Sequence, residues 1–124
     1  MKSEKTYFEK LKDPRWQKKR LDIMKRADFA CECCGNKERT LHIHHGYYTK
    51  GYEPWDYDDD TLYCICEYCH EAIEDTKHDI HLEISRIHPK YLSKLMPHIL
   101  NFKDEIQSGK IIPEKIDWDE IIKT

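Results

Sequence analysis

The sequence predicts a small α+β domain that is stabilised by a bound metal ion. Three observations predict this class: two Cys-x2-Cys pairs, two short stretches with strand character, and helical patterns on either side of them. The chain has 124 residues, of which 39% are hydrophobic and 36% are charged. A core this small commonly needs a disulfide or a metal to stabilise it. Six cysteines and eight histidines supply the candidate ligands.

The first predicted element is a helix within the segment DPRWQKKRLDIMKRADFA. Asp13 suits the N-cap position, and Pro14 suits the first helical position because it needs no hydrogen-bond acceptor there. Apolar side chains at suitable spacing then give the helix a buried face: Trp16, Leu21, Ile23 and Met24.

Two short strands follow, with the sequences TLHIHH and TLYCIC. Side chains alternate between the two faces of a strand. We therefore expect Leu41, Ile43 and His45 on one face of the first strand, and His42 and His44 on the other. The segment EYCHEAIEDTKH after the second strand lacks turn residues and predicts a helix.

The two Cys-x2-Cys pairs are the strongest motif in the sequence. Each pair resembles a zinc knuckle, a tight turn that presents two thiolates to one ion, and Gly35 gives the first turn its backbone freedom. We expect a structural zinc held by Cys31, Cys34, Cys66 and Cys69. Such a closed site stabilises the fold and leaves no coordination position for chemistry.

Two cysteines lie outside this set. Cys33 is an alternative to Cys34 in the first pair, although only Cys34 has the usual spacing from Cys31. Cys64 alternates with Ile65 along the second strand, and we expect it to be a small buried apolar residue.

The sequence favours a soluble protein in a reducing compartment. The first residues, MKSEKTYFEKLKD, lack the apolar segment of an export signal, and no stretch is long enough to span a bilayer. Without export, clustered cysteines serve as metal ligands rather than as disulfides. We therefore expect a cytoplasmic protein with no membrane partner.

Charge is divided unevenly along the chain. Residues 1–50 carry 13 Lys and Arg against 7 Asp and Glu, whereas residues 51–124 carry 8 against 17. A basic first half is compatible with a polyanionic partner, and Lys19, Arg20 and Lys50 are the candidate contacts to nucleic acid. The alternative is that these cations only solvate a helix face.

The histidines near the knuckles suggest a second, open metal site. His70 and Glu74 are four residues apart and share a helix face. If the first strand packs beside that helix, His44 joins them, and imidazole and carboxylate ligands leave room for water. His45 then remains available as a general base with a pKa near neutral. The alternative is that these histidines only support the knuckles.

We divide the chain into two segments. Residues 1–78 contain the zinc-stabilised domain and the N-terminal helix. Residues 79–124 change in composition and repeat apolar residues at helical spacing, interrupted by Pro89 and Pro97. This helical extension either packs internally or offers a surface to a second copy of the chain or to a protein partner.

The order of these motifs resembles the HNH endonucleases, which are also called ββα-metal nucleases. The first Cys-x2-Cys pair, LHIHH, and a run of the form L-x-x-I-C-x2-C-H carry the resemblance. The segments DPRWQKKRLDIMKRADFACECCG and HHGYYTKGYEPWDYDDDTL are similar to a subgroup of small zinc-knuckled HNH proteins of bacteria and phages. The resemblance covers residues 7–78. It implies a treble-clef-like ββα-metal domain in the cytoplasm of a bacterial or phage-infected cell.

The resemblance also implies roles for individual residues. His44 and His70 match the ligands of a catalytic divalent ion, Mg²⁺ or Mn²⁺, and His45 matches the general base. The four cysteines match the structural Zn²⁺ of the knuckled subgroup. The implied reaction is hydrolysis of phosphodiester bonds in DNA, with RNA as an alternative substrate.

Two positions depart from the family pattern. Thr61 stands where the family has the catalytic-site Asn that orients the base, and a hydroxyl supplies only part of its hydrogen bonds. Glu74 stands at the last His or Asn, where a carboxylate is a good ligand for a hard cation. The alternative function is a weakly active or inactive module of the same fold that binds nucleic acid or a protein partner.

Overall fold

The computed structural model describes residues 6–111. Within them, four α-helices accompany one two-stranded antiparallel sheet, so the predicted α+β class is confirmed. The chain separates into two compact units between Glu71 and Ala72. Helix α3 is continuous across that division, which lies seven residues before the end of the segment predicted from the sequence.

The first unit begins with two helices, α1 (Tyr7–Leu11) and α2 (Pro14–Arg26). Asp13 is the N-cap of α2, and its side chain accepts a hydrogen bond from the backbone N–H of Arg15. Pro14 occupies the start of the helix, as the sequence predicts. Helix α2 buries Trp16, Ile23 and Met24, whereas Leu21 is exposed, contrary to the prediction.

Strands β1 (Leu41–His45) and β2 (Leu62–Cys66) pair antiparallel, with Leu41 opposite Cys66 and His45 opposite Leu62. A 3₁₀ turn at Asp59–Thr61 leads into β2. Helix α3 (Glu67–Ser85) begins directly after β2, so the end of this strand leads without a loop into the first turn of the helix.

The core of the first unit lies between α2 and the sheet. Its buried members are Trp16, Ile23, Met24, Tyr57, Leu62 and Cys64. Leu41 and Ile43 of β1 pack against this cluster, which confirms the predicted inner face of that strand. The core is small because only a two-stranded sheet and one long helix contribute to it, so a bound metal would add substantially to stability.

The second unit contains the rest of α3, a 3₁₀ turn at Pro89–Tyr91, and α4 (Leu92–Gln107). Pro89 separates the two helices, as predicted. Pro97 lies inside α4 and does not end it, although it removes one N–H from the helix ladder. Residues 112–124 of the predicted helical extension lie outside the described range.

Candidate metal centres and base

The two knuckles bring four sulfur atoms together at one end of the sheet. Cys66 ends β2, Cys69 lies in the first turn of α3, and the first pair lies in the turn after α2. The sulfurs of Cys31, Cys34, Cys66 and Cys69 all lie within 4.8 Å of one another. Those of Cys34 and Cys66 are 3.8 Å apart. Four sulfurs about 2.3 Å from a tetrahedral Zn²⁺ are separated by about 3.8 Å, so the group could hold zinc.

Backbone donors support thiolates in both knuckles. The N–H of Cys34 donates to Cys31 Sγ at 3.5 Å, and the N–H of Cys69 donates to Cys66 Sγ at 3.4 Å. Burial raises the pKa of the Cys31 thiol, but backbone hydrogen bonds, first from Cys34, lower it to about 6. Gly35 has a positive φ of 79°, a conformation that glycine adopts without steric cost, as predicted for the first turn.

The structure separates the other two cysteines from this group. Cys33 is absent from the set of converging ligands among the described residues. Burial, followed by the neighbouring Cys31 and Cys34, raises the pKa of Cys33 to about 11. Cys64 is fully buried in the core, as predicted for a small apolar residue.

A second set of ligand atoms is formed by His44, His70 and Glu74, again within 4.8 Å of one another. The rings of His44 and His70 have centroids 5.3 Å apart and meet edge to face. His44 is buried, His70 is half-buried, and Glu74 is exposed on the next turn of the same helix. Two imidazoles and one exposed carboxylate are three ligands, which leave coordination positions for water or a phosphate oxygen.

His42 lies beside this second set of ligands. Its ring centroid is 5.4 Å from that of His70, and its side chain is half-buried. Because His42 and His44 are two residues apart on β1, both rings are on the face that meets α3. Its nitrogens nevertheless lie outside the converging group.

His45 lies on the other face of β1, inside an aromatic enclosure. Its ring stacks on Trp16, with centroids 5.0 Å apart and planes inclined by 19°. Tyr48 and Tyr57 cover further sides of the ring. Only 2% of the residue is exposed. Burial lowers the pKa of His45, the bond to the Pro54 carbonyl opposes that shift, and the charge of Lys19 adds to it. The imidazole is therefore neutral at pH 7.

Both ring nitrogens of His45 have partners. Nε2 lies 3.1 Å from the carbonyl oxygen of Pro54, which can only accept, so Nε2 carries the proton. Nδ1 is then unprotonated and lies 3.4 Å from the hydroxyl of Tyr48, which donates to it. A neutral imidazole with an acceptor nitrogen is the form that a general base requires.

Thr61 supports the loop rather than touching the base. Its hydroxyl donates to the Asp58 carbonyl at 2.8 Å, within the 3₁₀ turn. Its carbonyl accepts the N–H of Gly46, the residue after His45, also at 2.8 Å. A Cβ at Gly46 would lie 3.1 Å from that carbonyl, so glycine permits the close approach. Thr61 thus fixes the end of β1 through its backbone.

The predicted nucleic-acid contacts lie at different places. Lys50 and Lys19 line two surface cavities, of about 700 Å³ and about 320 Å³, that share Arg15 and Trp55. Lys19 also forms an ion pair with Asp59 at 3.3 Å. Arg20 is half-buried and lines neither of these two cavities.

Sequence reasoning missed three contributors to these sites. The Pro54 carbonyl orients His45, and Trp16 stacks on the His45 ring. Arg39 reaches Cys66 Sγ at 3.9 Å and so places a cation beside the sulfur group. The proximity of Arg39 to the second knuckle follows from the pairing of β1 with β2. A backbone carbonyl gives no signal in a sequence.

Comparison of the chain with protein-family models, curated proteins and solved structures gave no match. Among the described residues, no helix is long and apolar enough to cross a membrane.

Proposed function

We propose that the first unit, with the adjoining turn of α3, is an endonuclease of the HNH type that hydrolyses phosphodiester bonds in DNA. In this proposal the knuckles, the β1–β2 pair and the start of α3 form a treble-clef-like ββα-metal domain. The four cysteines hold a structural zinc, and His44, His70 and Glu74 hold a catalytic Mg²⁺ or Mn²⁺.

The state of His45 is the observation that carries the proposal. A neutral histidine with Nε2–H bonded to a backbone carbonyl presents Nδ1 as a proton acceptor. His45 directly follows His44, a member of the open ligand set, on β1, and its ring lies on the other face of that strand. A purely structural zinc module needs neither feature.

The residues divide the chemistry between them. In the proposed reaction the attacking water takes the place of the Tyr48 hydroxyl at His45 Nδ1 and gives its proton to that nitrogen, and the Pro54 carbonyl stabilises the positive ring through the Nε2–H bond. A divalent ion at the second ligand set would supply positive charge for the phosphate oxygens and the leaving 3′-oxygen. Thr61 holds Gly46 and thereby the strand end on which the base lies.

The alternative function is a non-catalytic zinc-stabilised module that binds nucleic acid or a protein partner. The enclosure of His45 favours this alternative, because a base must reach water and only 2% of this residue is exposed. The Tyr48 hydroxyl already occupies Nδ1. The two functions predict opposite results in a cleavage assay.

The test is nicking of supercoiled plasmid DNA by zinc-loaded protein with Mg²⁺ or Mn²⁺. We expect wild-type protein to nick the plasmid and His45→Ala to lose about 100-fold or more of that activity. His98→Ala, at an exposed histidine on α4, is the matched control and should retain full activity. Wild-type activity no higher than that of His45→Ala with either ion would reject the nuclease and leave the binding module.

A further inference from the structure

Arg15 is an exposed arginine that the structure holds in one orientation. Its Nε and Nη2 donate to the two carboxylate oxygens of Asp13 at 3.0 Å and 2.9 Å. Asp13 is in turn fixed as the N-cap of α2. The Arg15 side chain is nevertheless 65% exposed. A two-point contact of this kind fixes the plane of a guanidinium as well as its position.

Trp55 supports the same guanidinium from one side. The central carbon of the Arg15 guanidinium lies 4.1 Å from the centre of the Trp55 ring, which packs against the core. The cation is therefore held over the indole, and its remaining exposure lies away from that ring. A planar cation oriented in advance can stack on a nucleobase with little further loss of side-chain freedom.

Two surface cavities are both lined by this pair of residues. The larger, of about 700 Å³, is lined by Lys50 and Tyr52 as well as by Arg15 and Trp55. The smaller, of about 320 Å³, is lined by Lys18. The other lysines of these cavities, Lys10 and Lys19, are paired with carboxylates. Within residues 6–111 no ion pair engages Lys18 or Lys50, so their charges are available to a ligand.

The carboxylates of the two cavities set a limit on the ligand. Asp13, Glu53 and Asp59 are paired with cations, and Asp22 lines the smaller cavity with Lys18. The net positive charge is therefore small, and the surface would bind a long polyanion weakly through charge alone. Stacking must supply part of the affinity, which requires a base that is not already stacked in a duplex.

The larger cavity is connected to the proposed base through one loop. Glu53 and Trp55, which line the cavity, flank Pro54, and the Pro54 carbonyl holds His45 Nε2. A nucleic-acid strand bound in the cavity would therefore lie along the loop that orients His45.

We propose that this surface, formed by Arg15, Trp55, Lys18 and Lys50, binds an unpaired segment of nucleic acid. One base stacks on the open face of the Arg15 guanidinium, and the phosphates on either side meet Lys18 and Lys50. This inference rests on the proposed function, for which it defines the substrate as single-stranded or locally unpaired nucleic acid.

The test is a binding measurement that does not depend on cleavage. Zinc-loaded full-length protein, without added Mg²⁺ or Mn²⁺, is titrated into a fluorescein-labelled oligothymidylate of about 12 nucleotides, its RNA equivalent and a duplex of the same length. Anisotropy is followed between about 50 and 200 mM salt. We expect the single strands to bind at least about tenfold more tightly than the duplex.

Three variants test the assignment. Arg15→Lys keeps the positive charge and the Asp13 N-cap but removes the planar guanidinium. It should weaken single-strand binding about tenfold while leaving duplex binding nearly unchanged. Lys50→Gln should reduce the slope of the logarithm of the binding constant against the logarithm of the salt concentration by about 0.7, the value for one phosphate contact on a single strand. Arg86→Lys is the matched control: Arg86 pairs with Glu83 at 2.8 Å and is 72% exposed. Among the described residues no aromatic ring supports it.

Equal binding of duplex and single strand, or wild-type affinity in Arg15→Lys, would overturn this inference even if the protein nicks plasmid DNA. Single-strand binding that depends on Arg15, together with an absence of nicking, would support the surface and reject the nuclease.

Discussion

His45 Nε2 donates a hydrogen bond to the carbonyl oxygen of Pro54, nine residues further along the chain, at 3.1 Å. This contact closes the loop between β1 and the 3₁₀ turn, and it fixes which nitrogen of the ring carries the proton. Thr61, at the position where the resembled family has an asparagine, does not make this contact; its hydroxyl is used within its own turn. A backbone carbonyl thus orients the imidazole.

The first prediction concerns the tautomer of His45. Because the Pro54 carbonyl can only accept, we expect the neutral ring to be protonated at Nε2 and unprotonated at Nδ1. Long-range ¹H–¹⁵N correlation spectra of the zinc-loaded protein distinguish the two nitrogens. His45→Gln identifies the resonances. A spectrum in which Nδ1 carries the proton would contradict the assigned hydrogen bond and remove the acceptor that the proposed chemistry needs.

The second prediction concerns stability at mildly acidic pH. Burial lowers the pKa of His45 in the folded state, whereas the unfolded chain returns it to about 6.5. Between these two values the unfolded state binds more protons, so the free energy of unfolding falls as the pH falls, by up to about 1.4 kcal/mol per pH unit. Below the folded pKa this contribution has been lost completely.

Chemical denaturation between pH 5 and 8, with zinc in excess, measures this slope. His45→Gln should flatten it, and His98→Gln, at an exposed position, should leave it as in wild type. Identical slopes in wild type and His45→Gln would show that His45 does not titrate differently on folding.

The third prediction separates the adjacent Cys33 and Cys34. Only Cys34 belongs to the converging sulfur group, and its Sγ lies 3.8 Å from that of Cys66. We expect Cys34→Ser to lose most of its zinc and to unfold at a lower temperature, because a structural zinc contributes directly to folding free energy. Cys33→Ser should keep one zinc per chain. Elemental analysis and thermal unfolding measure both effects, and zinc loss in Cys33→Ser alone would reverse the assignment.

Several features of the fold follow from local signals in the sequence. Asp13 and Pro14 fix the start of α2 because capping and proline geometry act over two or three residues. The alternation in LHIHH sets which side chains face the core, and the structure shows Ile43 on that side. The spacing of the cysteines suffices to choose Cys31, Cys34, Cys66 and Cys69 because each knuckle is a local turn.

Other features depend on contacts between distant parts of the chain and carry no local signal. The Pro54 carbonyl is a group that every residue possesses, so its bond to His45 cannot be inferred from residue type. The stacking of Arg15 on Trp55 joins positions 40 residues apart in sequence. Helix α4 continues through Pro97 because the helix tolerates the loss of one hydrogen bond there. The sequence pattern alone did not distinguish this outcome from a break.

The fourth prediction concerns the second ligand set. Glu74 is its exposed carboxylate, and together with His44 and His70 it forms a group that could hold a divalent ion. Removing the negative charge with Glu74→Gln should weaken Mn²⁺ binding by at least about tenfold, because a carboxylate is the preferred ligand type for this hard cation. Mn²⁺ titration followed by electron paramagnetic resonance measures the affinity without reference to cleavage.

Glu71→Gln, one residue after His70 on an exposed side of α3, is the matched control and should bind Mn²⁺ like wild type. Equal affinities in wild type and Glu74→Gln would show that the carboxylate is not a ligand and would limit the second set to its two histidines.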